Sequence, residues 1–288
     1  MQVSPCERPT MSPIDFLSFV PDFSSPDVVR AYDEAPLWSA MFGLLMLEEV
    51  PFNGVRDLLD VGCGTGFPLL ELAERLGPAS NAHGVDSWAG GLSRASDKVS
   101  VRASSNVTLH EADAADMPFP DQTFDLIVSN LGLNNFDNPA AAVAECRRVA
   151  RPASVIALTT NLQGHMHELY EAFRQVLEAA SDHDALLRLS DHAGHRATVA
   201  GVKTLLEGNG YSVRRVVQRE SVMRFADGTA LFNHYFIKLG FLDGWKKIVP
   251  DREAEVLPRV LARLDTDARQ NGELRLTIPM AYIEAIAV

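Results

Sequence analysis

Residues 58–68, with the sequence LLDVGCGTGFP, hold the groups best placed to bind a ligand. A short apolar run carries Asp60 near its end and is followed by glycines at 62, 64 and 66. Glycines let the chain turn sharply and let backbone N–H groups approach a ligand without a Cβ in the way. Pro68 suits the first turn of a helix, where a missing N–H costs nothing. The pattern predicts a strand, a ligand-binding loop and a helix in succession.

The spacing of these glycines indicates which ligand to expect. A dinucleotide fingerprint has the form G-x-G-x-x-G, so its third glycine would fall at position 67. The chain has Phe67 there and Gly66 one position earlier. The glycine spacing therefore disfavours an NAD-dependent oxidoreductase.

Two further acids follow the next apolar runs. Asp86 ends the predicted strand 82–85, and Asp113 follows the predicted strand 107–111. The carboxyl ends of parallel strands meet at one edge of a sheet, so these acids are expected near the glycine loop. An acid after the second strand is placed to accept hydrogen bonds from both ribose hydroxyls. Each acid alone also fits a turn-forming or helix-capping role.

The composition disfavours several classes of binding partner. The chain has 288 residues, and its formal net charge is -12. This charge disfavours nucleic acid and anionic membrane surfaces, which attract Lys and Arg clusters. A small-molecule partner is expected. The apolar stretch 36–50 is interrupted by acids and is too short for a bilayer span.

Cysteine usage points to a reducing compartment. Cys6, Cys63 and Cys146 are scattered, with neither a zinc-ligand spacing nor a disulfide framework. We expect a cytoplasmic protein without a bound metal, and no signal peptide is recognised.

Strand and helix patterns alternate from residue 56 onward. Strands are predicted at 58–61, 82–85, 107–111, 124–129, 154–159, 211–223 and 274–287, and helices at 68–76, 89–100, 139–150, 165–180, 199–208, 230–248 and 253–268. This order predicts an α/β fold with a doubly wound parallel sheet. Two short helices are expected before it, with Ser25 capping the first and Pro36 breaking or restarting it.

The predicted domain organisation follows from these elements. Residues 1–50 are expected to form an N-terminal helical lid. Residues 51–288 are expected to form the core, with cap insertions around 164–196 and 228–270 that cover the ligand edge of the sheet.

Five sequence blocks in register carry a resemblance to a known family. They are DVGCGTG (60–66), GVD (84–86), EADAxxMPF (111–119), FDLIVSN (124–130) and ECRRVARP (145–152). Together they resemble class I S-adenosylmethionine (SAM)-dependent methyltransferases. The nearest branch is the small-molecule one, with the type 11 domain, that includes the ubiquinone and menaquinone C-methyltransferase-like enzymes. The resemblance spans roughly residues 55–160.

The resemblance implies a fold and a cofactor site. The fold would be a Rossmann-like sheet of seven strands, mostly parallel, with residues 274–288 supplying a last antiparallel strand. SAM would be the cofactor and S-adenosylhomocysteine the product. The residues implied to hold SAM are Asp60, Gly62, Cys63, Gly64 and Gly66 at the methionine portion, Asp86 at the ribose, Ser87, Trp88, Asp113 and Ala114 at the adenine, and Asn130 and Leu131 after the fourth strand.

The implied reaction is in-line transfer of a methyl group to a small-molecule acceptor, which depends mainly on alignment and exclusion of water. Relatives often carry histidines after the fourth strand, where this chain has Asn134 and Asn135. Candidates for a base or substrate ligand are His165, His167, Tyr170, His195 and Asn134, with Tyr32, Trp38, His192, His234 and Tyr235 as others. A non-catalytic SAM-binding partner protein is the alternative, and a homodimer is left open.

Overall fold

The computed structural model describes residues 15–35 and 37–288. The α-helices are Pro26–Glu34 (α1), Leu37–Glu49 (α2), Leu69–Leu76 (α3), Ala89–Arg102 (α4), Pro139–Val149 (α5), His167–Ala179 (α6), His183–Gly194 (α7), Val199–Gly208 (α8), Gly228–Asn233 (α9), Tyr235–Gly240 (α10), Leu242–Lys246 (α11) and Glu253–Asn271 (α12). The strands are Asp57–Val61 (β1), Asn81–Asp86 (β2), Val107–Glu111 (β3), Phe124–Asn130 (β4), Ala150–Asn161 (β5), Tyr211–Phe225 (β6) and Leu274–Ala287 (β7).

The seven strands form one sheet in the order β3-β2-β1-β4-β5-β7-β6. Strands β1 to β5 pair in parallel, and β7 runs antiparallel to β5, from Val155 opposite Ile286 to Asn161 opposite Met280. The apolar residues of β1 and β4 are buried, as expected for parallel strands covered on both faces. The predicted fold class, including the antiparallel last strand, is confirmed.

The register of the sheet brings the predicted ligand residues to one edge. Asp60 lies opposite Gly84, and Asp86 lies opposite Glu111. Because these strands are parallel, the loops that follow β1, β2, β3 and β4 all leave the sheet on the same side. The glycine loop, Asp86 and Asp113 therefore belong to adjacent strand ends.

The chain divides into two compact units. The sheet unit consists of residues 22–167, 193–223 and 277–288. In it, Leu59, Val61, Ile127 and Ile156 belong to one buried cluster beneath the sheet's helices.

The helical unit consists of the described residues up to 21, with residues 168–192 and 224–276. Its core contains an aromatic stack, since the Phe232 ring lies 4.9 Å from Phe16 and 5.4 Å from Trp245. The lid at 1–50 and the caps at 164–196 and 228–270 remain predictions.

Two local predictions are wrong, and one helix was missed. Helix α3 begins at Leu69, so Pro68 immediately precedes the helix instead of occupying its first turn. The helix predicted at 230–248 is three short helices, because His234 adopts an extended conformation (φ -64°, ψ 127°) between the first two. Helix α7 was not predicted, although Asp182 caps its start by accepting a hydrogen bond from the Ala185 amide at 3.1 Å.

The remaining local predictions concern the start of α1, the break at Pro36 and membrane-spanning helices. Ser25 occupies the N-cap of α1 with Pro26 at the first turn, but its side chain makes no capping hydrogen bond. The predicted break at Pro36 lies outside the described residues, as does Cys6. Within the described chain, every helix is too short or too polar to cross a membrane.

Candidate cofactor site

The glycine loop after β1 has the backbone shape that its sequence requires. Gly62, Gly64 and Gly66 have φ values of 79°, 51° and 95°, a region that disfavours side chains. The amides of Gly62 and Cys63 both donate to the Val85 carbonyl, at 2.8 and 3.1 Å, and so hold the loop against β2. A Cβ on Gly64 would point into open space. The loop therefore presents uncovered backbone at this position.

The Asp86 carboxylate fixes the loop to the end of β2. Its Oδ2 accepts a hydrogen bond from the Gly64 amide at 2.7 Å, and its Oδ1 accepts one from the Trp88 amide at 2.8 Å. Asp86 is half-buried, so these charged hydrogen bonds are partly shielded from water. The sequence placed Asp86 at this edge, and the structure adds that it joins two loops.

Asp113 lies at the next strand end. The Ala112 amide donates to the Asp86 carbonyl at 3.1 Å, which ties the end of β3 to that of β2. Asp113 is exposed, and its Oδ1 accepts from the Ala115 amide at 2.8 Å. This carboxylate thus shapes the turn that holds Ala114.

Asp60 is fully buried, and neither of its carboxyl oxygens has a hydrogen-bond partner among the described residues. Burial, followed by the nearby charge of Asp86, raises the pKa of Asp60 to about 8. The backbone amide of Leu69, at the start of α3, acts to lower the pKa of Asp60, but its geometry is not that of a hydrogen bond. Asp60 is therefore largely protonated at neutral pH, and a cation beside it would favour the carboxylate.

Cys63, between two of the glycines, is not a nucleophile. Its side chain is buried, and burial together with the charges of Asp60 and Asp86 raises the pKa of the thiol. Because the thiolate is the reactive form, this residue acts as a small apolar side chain.

Trp88 joins the cofactor edge to the N-terminal segment. Its indole Nε1 donates to the Phe23 carbonyl at 3.0 Å, and its ring meets Tyr32 of α1 edge-on at 5.3 Å. Burial and the charges of Asp86 and Asp33 raise the pKa of Tyr32. Tyr32 is therefore a packing residue beside Trp88 in this arrangement, and Ser87 between Asp86 and Trp88 is exposed.

Ion pairs anchor α1 on α4. Asp33 accepts hydrogen bonds from Arg94 at 2.8 Å and from Lys98 at 2.6 Å. Burial opposes ionisation of Asp33, but the hydrogen bonds from Lys98, Thr65 and Arg94 outweigh it and lower its pKa. Because Thr65 belongs to the glycine loop, α1 is tied to the loop as well as to α4.

Phe67, the residue that departs from the dinucleotide fingerprint, contacts α2. A Cβ built on Gly43 of α2 would lie 2.2 Å from Cε1 of Phe67. The ring therefore occupies the space left by the glycine. Sequence reasoning missed this contact, although a glycine within an otherwise strongly apolar helix is a recognisable signal of close approach.

The loop after β4 is held by amide side chains. Asn130 donates to the Ser39 carbonyl of α2 at 3.1 Å and accepts from the Thr159 hydroxyl at 2.7 Å. Leu131 follows with a φ of 66°. Asn130 therefore fixes α2 and β5 around the β4 end, so its side chain has a structural role here.

Asn134 is similarly engaged. It accepts from the Thr160 hydroxyl and donates to Asn161 Oδ1, both at 2.6 Å. An amide is not a proton acceptor of catalytic strength, so Asn134 is placed to position neighbouring groups.

The histidine and tyrosine candidates are divided between the two units. His165 is buried in the turn before α6, with its ring 4.9 Å from Trp38, so it does not share a helix with His167 as the sequence suggested. Tyr170 and His192 lie 5.7 Å apart within the helical unit. His195 is exposed and lines a groove of the sheet unit together with Asn134.

His234 and Tyr235 belong to the helical unit. Burial and the charge of Lys238 lower the pKa of His234, and the Tyr235 ring lies 5.9 Å from the Phe19 ring. Over the part of the chain that is described, no group of three or more potential ligands could hold a metal ion.

Comparisons with known proteins match the central part of this chain to methyltransferases. The family described as "Methyltransferase domain" matches residues 59–158. The demethylmenaquinone methyltransferase of Anoxybacillus flavithermus is 36% identical over 123 residues, which are 41% of this chain and 52% of that protein. The nocamycin O-methyltransferase of Saccharothrix syringae is 28% identical over 244 residues, covering 81% of this chain and 85% of that protein.

Residues 59–158 thus form a domain similar to those of methyltransferases. The resemblance found in the sequence is thereby confirmed. The chain spans about half the length of the demethylmenaquinone methyltransferases that it matches. Among solved structures, the YcgJ protein of Bacillus subtilis has a TM-score of 0.59 at 19% identity, with 86% of this chain and 98% of that chain covered. At this identity the likeness shows the fold alone.

Replacing Asp60 by Asn tests the buried carboxyl of the methyltransferase domain. The folded-state pKa of about 8 lies above the unfolded value of about 4, so the unfolded chain holds fewer protons between these limits. The stability of the wild type should therefore fall relative to Asp60→Asn as pH rises from about 4 to 8, by at most about 1.4 kcal/mol per pH unit. Urea denaturation across this pH range measures the difference, and parallel stability curves would contradict the assignment.

Replacing Gly43 by Ala tests the contact with Phe67. Alanine favours a helix, yet its Cβ would overlap the Phe67 ring, so we expect a loss of about 1–3 kcal/mol in unfolding free energy. The double variant Gly43→Ala with Phe67→Leu should recover part of this loss, giving a coupling of at least about 0.5 kcal/mol. Gly208→Ala is the control, because a Cβ there meets nothing within 4 Å. Equal stability of Gly43→Ala and wild type in urea would rule out the contact.

Proposed function

We propose that this protein is a SAM-dependent methyltransferase that acts on a small-molecule acceptor. The observation that carries the proposal is the hydrogen bond of 2.7 Å between Asp86 and the Gly64 amide, beside the buried, unpartnered carboxyl of Asp60. The methyltransferase-domain match at residues 59–158 supports the reaction class. The named activities of the relatives, on demethylmenaquinone and nocamycin, support a small-molecule acceptor.

The residues present fit SAM. Asp60 is a carboxyl without a hydrogen-bond partner, and its ionised form is stabilised by a neighbouring cation such as an ammonium or a sulfonium. Gly64 offers open space where a side chain would otherwise lie. We infer that Asp60 and the backbone of Gly62, Gly64 and Gly66 hold the methionine portion.

The nucleoside end of the site follows the next strands. We assign Asp86 to the ribose hydroxyls, since each of its oxygens retains lone pairs beyond its one backbone hydrogen bond. Ser87, Trp88, Asp113 and Ala114 are proposed to surround the adenine. Asn130 and Leu131 are proposed to flank the cofactor after β4, chiefly through the backbone, because the Asn130 amide is bonded to Ser39 and Thr159.

The chemistry places few demands on the chain. SAM supplies an electrophilic methyl group on a sulfonium. The protein's residues must bind both reactants in line and exclude water, and alignment of this kind accounts for about 7–11 kcal/mol of a barrier. A proton acceptor is required only where the acceptor atom must lose a proton. His165, His167, Tyr170 and His195 remain the candidates for that role.

Two other interpretations receive less support. A dinucleotide-dependent oxidoreductase would need glycine at position 67, where the Phe67 ring packs against Gly43 instead. A non-catalytic SAM-binding protein shares the same cofactor residues. Incubation with methyl-labelled SAM and a small-molecule extract separates it from an enzyme, because label should appear in small molecules for an enzyme and in no fraction for a binder.

Replacing Asp86 by Asn should weaken binding of S-adenosylhomocysteine. The change removes the charge and one acceptor oxygen, and a hydrogen bond to a charged group contributes about 1.5–3 kcal/mol, so we expect an affinity loss of about 10- to 150-fold. Isothermal titration calorimetry measures it. The matched control is Asp116→Asn, an exposed carboxylate in the loop after β3, which should bind like the wild type. Unchanged affinity in Asp86→Asn would refute the ribose assignment.

A further inference from the structure

The turn that carries Asp113 is closed by local hydrogen bonds. The Asp116 amide donates to the Asp113 carbonyl at 3.0 Å, and the Ala115 amide donates to the Asp113 carboxylate at 2.8 Å. At the start of the turn, the Ala112 amide donates to the Asp86 carbonyl at 3.1 Å. Asp113 and Asp116 themselves are exposed. Because the bonds that close the turn are internal to it, its position on the protein depends on how its two ends are held.

Met117, at the far end of the turn, is held by helix α5. Its side chain is buried in the core of the sheet unit. Its amide donates to the Glu145 carboxylate at 3.1 Å, and its carbonyl accepts from Nη2 of Arg148 at 3.0 Å. Both backbone groups of Met117 are thus bound by side chains of one helix, which fixes this end of the turn.

The Arg148 guanidinium holds more of the loop than Met117. Its Nη1 donates to the Phe119 carbonyl at 2.7 Å and to the Asp121 carboxylate at 2.9 Å. Its Nε and Nη2 donate to the Glu145 carboxylate at 2.8 and 2.7 Å. Together with the bond to Met117, these contacts engage every N–H group that a guanidinium offers.

The pair of Glu145 and Arg148 is shielded from solvent more than an ordinary helix-surface ion pair. Its side chains are 19% and 33% exposed, whereas those of Glu171 and Arg174, at the same spacing, are 44% and 46% exposed. Hydrogen bonds from Arg148 and from the Met117 amide outweigh burial and lower the pKa of Glu145. A lysine at position 148 would keep the charge, but an ammonium group cannot reproduce the planar set of donors that joins this carboxylate to the backbone carbonyls.

We propose that Arg148 is a positioning residue for recognition of the adenine base. By holding Met117, it fixes the turn from which the Asp113 carboxylate accepts a hydrogen bond from the amino group of adenine. This role rests on the proposed function, which places Asp113 beside the adenine. Because Arg148 acts through the turn, its replacement should change the preference for the base more than the binding of the rest of the cofactor.

Two ligands that differ at the adenine amino group measure this recognition. S-inosylhomocysteine has a carbonyl oxygen at the position where S-adenosylhomocysteine has the amino group, so it offers Asp113 no donor there. Isothermal titration calorimetry of the full-length protein gives the affinity for each ligand. Hydrogen bonds to a charged acceptor are among the stronger ones, so the wild type should prefer S-adenosylhomocysteine by at least about tenfold.

Replacing Arg148 by Lys should lower this preference. We expect the affinity for S-adenosylhomocysteine to fall at least about tenfold and the preference to fall at least about threefold, because the turn is no longer fixed. Arg147→Lys is the matched control. Arg147 is the neighbouring residue of α5, and its Nε donates to the Gly210 carbonyl at 3.0 Å, outside the loop after β3. This control should keep the preference of the wild type, since a general loss of stability weakens binding of both ligands alike.

A second variant decides the question where Arg148→Lys does not fold. Glu145→Gln keeps the size of the side chain but removes the charge that pairs with Arg148. It should lower the preference in the same direction by a smaller factor, because neutral hydrogen bonds are weaker than charged ones. Thermal melting establishes which variants are folded.

Hydrogen exchange of the ligand-free protein tests the attachment of the turn without any cofactor. The Met117 amide is bonded to Glu145, whose carboxylate is held by Arg148. This amide should therefore exchange at least about tenfold faster in Arg148→Lys than in Arg147→Lys.

Three results would overturn the proposal. They are an unchanged base preference in the folded variants, an unchanged exchange rate of the Met117 amide, and a wild type that binds both ligands equally. Absence of S-adenosylhomocysteine binding by the wild type would instead contradict the proposed function, and the exchange rate would still decide whether Arg148 fixes the turn.

Discussion

The hydrogen bond from the Gly64 amide to Asp86 connects the elements of the candidate cofactor site. It joins the loop after β1 to the end of β2, and the Trp88 amide on the other carboxylate oxygen extends this connection to the start of α4. A loop with three glycines is costly to order, because glycine loses more conformational freedom on folding than other residues do. Charged hydrogen bonds to backbone amides offset that cost and hold the loop in one shape.

Asp60 shows a different constraint at the same site. A buried carboxyl without hydrogen bonds is unfavourable for folding alone, and burial raises its pKa to about 8. Groups whose pKa is perturbed by burial and by a neighbouring charge cluster at functional sites. The cost of Asp60 is therefore understandable as preparation for a cationic ligand, and its neighbour Cys63 has no comparable chemical role because its thiol remains protonated.

The N-terminal helices pack against the surroundings of the glycine loop. Asp33 of α1 bonds to Arg94 and Lys98, and Phe67 fills the space at Gly43 of α2. Both helices belong to the same compact unit as the sheet. The surroundings of the glycine loop are thus built from segments on both sides of it in the sequence.

The sequence by itself determined the parallel sheet, the glycine loop and the acids at the strand ends, because these depend on local patterns: apolar runs, glycine spacing and short connections. It did not determine that Phe67 rests on Gly43, that Asn130 bonds to Ser39 and Thr159, or that Arg148 bonds to the Met117 carbonyl. Each of these contacts joins residues distant in the chain, and the relevant partner is selected by packing of the folded elements. Periodicity describes one element at a time, so only the tertiary structure decided which side chains share a space.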